Sequence, residues 1–262
     1  MPSVVRRAPA ILLIPAVIGL AFLVLPLLGL LVRAPWATLG ERLAAPAIRQ
    51  ALTLSLVTAT LATIVCLLVG VPLGWLLARV AFRGRKLVRA LVVVPLVLPP
   101  VVGGVALLLA YGRRGVVGSG LAEIGITLPF TTAGVVVAEA FVALPFLVIA
   151  VEGALRGADE RFEEAAATLG AGRWTAFRRV TLPLIAPGVA AGAVLCWARA
   201  LGEFGATITF AGSFPGTTRT MPLAVYLALE TDPQAAIVLS LVLLVVSVGI
   251  LVGLRDRWLG NA

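Results

Sequence analysis

Long uninterrupted apolar runs constrain the fold of this chain more than any other feature. A helix needs about 20 apolar residues to cross the hydrocarbon core of a bilayer, and several runs approach or exceed that length. The candidate spans cover residues 11–32, 51–78, 88–110, 132–152, 184–210 and 235–254. Transmembrane strands would instead show short segments of alternating polarity, and the sequence has none. We therefore predict an all-α, polytopic membrane bundle of about six transmembrane helices.

The charged residues support this prediction and exclude several other classes. Only 13% of the residues are charged, whereas a typical soluble domain carries about 25%. The net charge of +9 does not indicate nucleic-acid binding, because the basic residues flank apolar spans without forming a stripe interleaved with aromatic side chains. The sequence contains no histidine, which excludes histidine-based metal sites, proton relays and catalytic triads. We predict no catalytic residue and no metal site in this chain.

The third span contains an unusual concentration of proline and glycine in the segment PLVLPPVVGG, residues 95–104. Proline removes a backbone donor, and the freed carbonyl groups must find partners in protein or water. We expect a kink there and a position against other helices or a cavity.

The distribution of basic residues predicts the orientation. With the N-terminus inside the cell, fourteen of the 21 lysines and arginines lie in inner segments and six in outer loops, while Arg199 lies within a span. Basic residues concentrate in cytoplasmic loops. Both termini, and the loop between the fourth and fifth spans, are therefore predicted to be cytoplasmic in a bacterial-type plasma membrane.

That loop contains a charged island with a short amphipathic helix at residues 159–170. Its apolar residues recur at helical spacing and form one face. These residues are Phe162, Ala165, Ala166 and Leu169. Carboxylates occupy the first turns, where the helix dipole favours negative charge, and Gly170 supplies a stop. An interfacial helix lying on lipid headgroups is the alternative. It suits the basic, aromatic stretch 173–179 better than the acidic helix, for which we favour docking to a partner protein.

The order of residues from Glu164 to Pro183 resembles the EAA loop of bacterial ABC importer permeases. The shared pattern is Glu-Ala-Ala, three residues, Gly, nine residues, an aliphatic residue, one residue and Leu-Pro, with Val180 at the aliphatic place. The resemblance implies a type I ABC importer permease fold. It also implies that this loop docks on a partner ATPase, and it assigns the coupling role to Glu164, Ala165, Ala166, Leu169 and Gly170. The alternative for Glu164 is a solvated carboxylate or an intrahelical partner of Arg161.

Three polar residues near the end of the fifth span are candidates for a translocation route or gate: Arg199, Glu203 and Thr207. Ionisable groups inside membrane spans are rare and usually face the bundle interior or water. Arg199 and Glu203 lie four residues apart, so they could form a structural ion pair instead of lining a route. Thr207 could line the route or join helices.

The surrounding segment, ARALGEFGATITFAGSFPGTTRTMPLAVY at residues 198–226, resembles molybdate-type permeases, as does the segment at 95–104. With the EAA loop, the resemblance covers about residues 49–251. Sulfate/thiosulfate permeases share a related segment. The outer loop at 211–222, with Arg219, could receive a substrate-loaded binding protein or only connect two helices.

The resemblance implies a permease subunit that moves an oxyanion, taken as molybdate, into the cytoplasm. Its partners would be two ATPase subunits, an extracytoplasmic binding protein, membrane lipid and a second copy of this chain, since one bundle is small for a water-lined cavity. No Gly-rich phosphate loop of the Walker type occurs, so ATP and Mg would be bound by the partner and this chain would be no enzyme. We divide the chain into 1–48 (cytoplasmic tail, first helix and outer loop), 49–251 (permease core with the coupling loop at about 156–183) and 252–262 (cytoplasmic tail).

Other functions remain open from sequence alone. The same machine could carry sulfate, thiosulfate or tungstate. A secondary transporter or channel that works without ATP would show inverted repeats, and none is evident. A membrane enzyme acting on lipid would need clustered catalytic groups.

Overall fold

A computed structural model describes residues 10–259, with side-chain environments given for residues 11–250. The regular structure across that range is helical. The helices, in chain order, are α1 Ala10–Val32, α2 Leu39–Leu43, α3 Pro46–Arg79, α4 Arg85–Val97, α5 Pro100–Tyr111, α6 Gly118–Glu123, α7 Thr132–Gly157, α8 Arg161–Thr168, α9 Arg173–Ala176, α10 Leu182–Leu201, α11 Gly205–Ala211, α12 Met221–Thr231 and α13 Pro233–Leu259.

The predicted membrane bundle is confirmed. Within the described residues, five helical stretches are long and apolar enough to cross a membrane, and α4 with α5 makes a sixth if that bent pair is one span. A π-helical turn, Phe177–Thr181, joins α9 to α10, so the helical run from residue 173 to residue 201 is continuous. The segments 1–9 and 260–262 of the predicted tails lie outside the described residues, and α13 continues to Leu259, past the predicted boundary at 252.

The core of the bundle is formed by α3, α7 and α10, whose facing surfaces consist largely of small residues. Ala62, Ala143 and Ala200 are fully buried there. Small side chains let membrane helices approach closely, which replaces the hydrophobic driving force that lipid does not supply. Helix α1 packs mainly along α13 and is otherwise exposed, as expected for a helix that lies against lipid.

The third span differs from the predicted kink, because it is two helices bent by 119°. Leu98 and Pro99 both precede a proline, and both adopt extended backbone with ψ of 133° and 132°. The residue before proline is driven away from helical geometry, so two consecutive prolines end α4. Pro100 then occupies the first turn of α5, where proline is favoured. The single Pro95 lies inside α4 without ending it.

The fifth span also ends earlier than predicted. Helix α10 finishes at Leu201, and the chain leaves helical geometry before α11 begins at Gly205. The prediction of one continuous helix to residue 210 is wrong. It failed because the break is stabilised by a side chain, Glu203, which is described with the site below.

Candidate functional site

The candidate site has two parts: a coupling segment, residues 159–181, at one end of the bundle, and an intramembrane polar cluster built around α7, α10 and α11. The coupling segment begins with an Asp159 side chain that accepts a hydrogen bond from the Arg161 backbone N–H at 3.0 Å. Helix α8 follows and is two residues shorter at each end than the predicted 159–170. Its first turn carries Glu163 and Glu164, as the dipole favours.

Gly170 ends α8 for a specific backbone reason. Its φ of +83° lies in the left-handed region that L side chains disfavour. Gly170 N–H donates to the Ala167 carbonyl at 3.0 Å, and Ala171 N–H donates to the Ala166 carbonyl at 3.0 Å. This pair of bonds is a Schellman motif, which satisfies the last carbonyl groups of the helix. The glycine in the pattern therefore turns the chain from α8 towards α9.

The face of α8 that the sequence assigned to docking is open. Phe162 is 57% exposed and Leu169 is 89% exposed. Glu164, Ala165 and Gly170 are exposed with them, whereas Ala166 is half-buried. Among the described residues no ion pair joins Glu164 to Arg161. Large exposed apolar side chains beside a carboxylate are typical of a surface that contacts another protein rather than one that remains in solvent.

Ion pairs and aromatic contacts fix the coupling segment to α3. Arg79, in the last turn of α3, binds Glu160 at 2.5 Å and Glu163 at 3.2 Å. Phe177 packs edge-on against Trp75 of α3 and stacks with Trp174. Sequence reasoning missed Arg79, because its partners lie about 80 positions away and only the fold brings them together.

A second ion network lies next to this one. Glu152, near the end of α7, binds Arg89 of α4 and also Arg156 at 2.7 Å. Glu152 is 8% exposed. Since α4 starts at this end of the bundle, the network ties the first half of the broken span to the core.

The intramembrane polar cluster contains the three predicted residues. Arg199 Nη2 binds Glu203 Oε2 at 2.6 Å, so the pairing that was one of two alternatives occurs. The other carboxylate oxygen of Glu203 accepts the Ala206 backbone N–H at 2.8 Å. Glu203 thus caps the start of α11, which explains the break in the fifth span. Thr207 is fully buried, and its hydroxyl has no hydrogen-bond partner in the described chain.

Glu139 of α7 belongs to this cluster and was missed. It is 1% exposed, and Thr58 of α3 donates to its Oε1 at 2.9 Å, while its Oε2 has no partner among the described residues. The signal was available, because Glu139 is an ionisable residue inside an apolar run, the same criterion that selected Glu203.

Helices α5 and α11, called here the α5–α11 pair, pack closely against each other at glycine residues. A Cβ on Gly104 would lie 2.6 Å from the Thr209 Cβ, and a Cβ on Gly205 would lie 2.6 Å from the Pro100 Cβ. These contacts join the two segments, 95–104 and 198–226, whose sequences resemble molybdate-type permeases. Their shared pattern is therefore a packing requirement as well as a sequence signature.

At the opposite end of the bundle, a cavity of about 530 Å³ is lined by residues of α2, α3, α12 and α13 together with Arg219. Arg42 in its wall binds Asp232 at 2.8 Å. The Arg219 guanidinium is held by the side chain and carbonyl of Ser213. The loop at 211–222 is thus an ordered turn with a cation at the cavity wall.

Comparison with known proteins identifies the family. The profile of the family described as "Binding-protein-dependent transport system inner membrane component" matches residues 70–261. The chain belongs to this family. The predicted resemblance to ABC importer permeases, most like molybdate permeases, is confirmed by family members of high sequence identity.

The chain is 50% identical over 244 residues to the molybdenum transport system permease protein ModB of Mycobacterium tuberculosis, covering 93% of this chain and 92% of that protein. It is 44% identical over 213 residues to ModB of Escherichia coli K12, covering 81% and 93%. It is also 37% identical over 229 residues to the sulfate transport system permease protein CysT of Escherichia coli K12, covering 86% and 83%.

Solved structures agree on the fold of this family member. A bacterial ABC transporter involved in the import of the acidic polysaccharide alginate aligns with a TM-score of 0.77 at 20% identity, over 96% of this chain and 94% of that chain. An inward-facing MetNI methionine ABC transporter aligns with a TM-score of 0.65 at 19% identity, over 82% and 96%. At this identity the likeness shows the fold alone, and the predicted type I importer fold is confirmed.

Proposed function

We propose that this chain is the membrane-spanning permease subunit of an ATP-driven importer that carries molybdate into the cytoplasm. The observation that carries the proposal is the 50% identity to ModB over nearly the whole of both chains. The segments around α5 and α11, where the sequence resembles molybdate permeases, are the ones that pack together in the bundle interior.

The coupling segment is proposed as the docking site for a separate ATPase subunit. Its exposed face combines Phe162 and Leu169 with the carboxylate of Glu164, and Gly170 fixes the turn that follows. Partner helices usually dock through such an amphipathic face into a groove. ATP and Mg would be bound by that partner, and this chain would transmit the motion without performing hydrolysis.

The translocation route is proposed to run beside Arg199, Glu203 and Thr207. A dianion cannot cross bare hydrocarbon, because an unpaired buried charge costs tens of kcal/mol in the idealised limit. Arg199 is 27% exposed, whereas Glu203 is 1% exposed and paired to it. Arg199 is therefore the member of the cluster placed to meet an anion, and Glu203 positions its guanidinium. A second copy of the chain would complete the route at a two-fold axis.

The orientation and the remaining partners complete the proposal. The coupling segment would face the cytoplasm with both termini, in agreement with the excess of basic residues at that end. The cavity beside Arg42 and Arg219 would then face the extracytoplasmic side, where a substrate-loaded binding protein would dock. The core would extend over about residues 49–251, preceded by the first helix and its outer loop and followed by a short tail.

A sulfate importer is the second candidate, because the chain is 37% identical to CysT over 86% of its length. Tungstate is a further possible cargo of the same machine, since tetrahedral oxyanions share their shape and charge. The secondary transporter and the lipid enzyme are not carried further, because the chain belongs to a family of binding-protein-dependent transport components.

The test uses proteoliposomes that contain this chain with its ATPase and its binding protein. ATP-dependent uptake of molybdate, tungstate and sulfate is compared at equal concentrations, with the ATPase omitted as the control. Preferential molybdate uptake that requires the ATPase supports the proposal. Preferential sulfate uptake would keep the machine and replace the cargo, and uptake without the ATPase would contradict the proposal.

A further inference from the structure

Helix α3 holds both halves of the coupling segment with one face of its last turns. Trp75 and Arg79 are four residues apart, so they lie on the same side of the helix. Trp75 contacts Phe177, which follows α9, at a ring distance of 6.2 Å. Arg79 binds Glu160 and Glu163, at the start of α8. The two sides of the turn at Gly170 are thereby attached to one rigid element.

The Arg79 contact is a directed one. Only 10% of the Arg79 side chain is exposed, and its Nε is buried without a partner in the described chain. The positive charge of this largely buried guanidinium is therefore balanced by the carboxylates of Glu160 and Glu163. Arg79 lies at the C-terminus of α3 and the carboxylates at the N-terminus of α8, where the helix dipoles favour each charge.

Just before Trp75 and Arg79, helix α3 packs closely against α7 in the core. Gly74 lies against Val151 of α7, where an added Cβ would be 2.8 Å from the valine Cγ1. One turn earlier, an added Cβ on Gly70 would lie 3.1 Å from Leu144 and Leu147. Close-packed interiors transmit displacement rather than absorb it. A movement of α8 that is passed to α3 must therefore move α3 and α7 against their neighbours.

We infer that Arg79 is the positioning residue that transmits movement of the coupling segment to α3, with Trp75 holding the second half of the segment on the same face. This inference rests on the proposed coupling function. It adds the route by which a force on α8 enters the bundle: through the ion pairs of Arg79 rather than through the connection from α7 to α8 alone.

The test measures molybdate uptake and ATP hydrolysis in the same reconstituted complex, and takes their ratio. In Arg79→Gln the ratio is expected to fall about tenfold, the size of a typical coupling effect, while ATP hydrolysis persists. A purely structural defect would lower uptake and hydrolysis together and leave the ratio unchanged. Arg79→Lys should recover only part of the ratio, because lysine lacks the fork that meets two carboxylates.

Two further variants keep the inference falsifiable. Glu160→Gln combined with Glu163→Gln removes the partners and leaves Arg79 in place, so it decides the question if Arg79→Gln does not assemble. Arg83→Gln is the matched control, since Arg83 is an exposed arginine in the next loop with no ion pair in the described chain.

The outcomes separate the inference from the proposed function. Glu164→Lys, which reverses a charge on the proposed docking face, is expected to abolish uptake and tests the proposed function separately. If it does so, an unchanged ratio in an assembled Arg79→Gln complex, or in the double glutamine variant, would overturn the inference alone. An equal loss in Arg83→Gln would also overturn it. A native complex without ATP-dependent uptake would instead contradict the proposed function, and the inference with it.

Discussion

The coupling segment is exposed at one end of the bundle, whereas α11 and the facing side of α5 are buried in its interior. Glu164 and Leu169 are open to solvent, while Glu203 and Gly104 are enclosed by protein. Both regions contain a carboxylate and a glycine within a recognisable motif. Because the surroundings differ, substitutions of the same residue types should have different effects. Substitutions in the interior should destabilise the fold, whereas substitutions on the exposed docking face should leave the protein folded but reduce transport.

The largest effect on stability is expected at the buried ion pair. Arg199→Met leaves the carboxylate of Glu203 buried and without its cation, which costs about 3–5 kcal/mol. Adding Glu203→Gln removes the charge and keeps an acceptor for the Ala206 N–H, so most of the loss should be recovered. The measurement is the temperature at which the detergent-solubilised protein loses monodispersity. Melting of the single variant at the native temperature would contradict the paired geometry.

The second-largest effect on stability is expected at the contact between the helices of the α5–α11 pair. Gly104→Ala places a Cβ 2.6 Å from the Thr209 Cβ and 2.9 Å from the Ala206 carbonyl oxygen, and overpacking of this kind costs about 1–3 kcal/mol. Gly153→Ala is the matched control, since it is also a helical glycine but has nothing within 4 Å. That control should stabilise the protein slightly. Equal melting temperatures for the two variants would show that the close approach is absent.

The features that neighbouring residues determine could be predicted from the sequence. The shape of the coupling segment follows from neighbouring residues: carboxylates that begin α8 and Gly170 that ends it. The buried region was only partly predictable. The prolines at 99 and 100 marked a disturbance, but Pro95, Pro72 and Pro145 sit inside helices without breaking them.

The contacts that decide the interior join residues far apart in the chain. Gly104 meets Thr209, and Glu139 meets Thr58. No local pattern specifies such pairs, because each partner has the same apolar neighbours as many other positions. The break at Glu203 was missed for a related reason: a side chain that caps a helix can interrupt a run that hydropathy alone shows as continuous.

A smaller effect is expected at Gly170, where an added side chain would strain the backbone but meet no neighbour. Nothing lies within 4 Å of an added Cβ there, so Gly170→Ala should cost about 1 kcal/mol from the left-handed conformation. Gly172→Ala is the control, because Gly172 is also open but has an ordinary φ of −65°. The measurement is again the melting temperature of the solubilised protein, together with uptake. Equal effects of the two changes would contradict the Schellman motif.

The partly exposed pair of Arg42 and Asp232 gives the smallest expected effect and a pH test. The hydrogen bond from Arg42, followed by one from the Ala235 backbone, lowers the pKa of Asp232 below its ordinary value of 3.8. The folded state therefore favours the ionised form, and this contribution is present above pH 3.8 and lost as the pH falls through the lowered pKa. Asp232→Asn should melt slightly below the native protein at neutral pH, and the difference should vanish in acid. A difference that is independent of pH would contradict the pairing.

The most direct test of the central claim is ATP-dependent molybdate uptake by the reconstituted complex carrying Glu164→Lys. Because Glu164 is exposed and has no ion pair among the described residues, the free energy of unfolding of the variant should lie within about 0.5 kcal/mol of the native value. The account predicts a folded, membrane-inserted protein that no longer imports molybdate in response to ATP. Native uptake by this variant, or native uptake that proceeds without ATP, would contradict it.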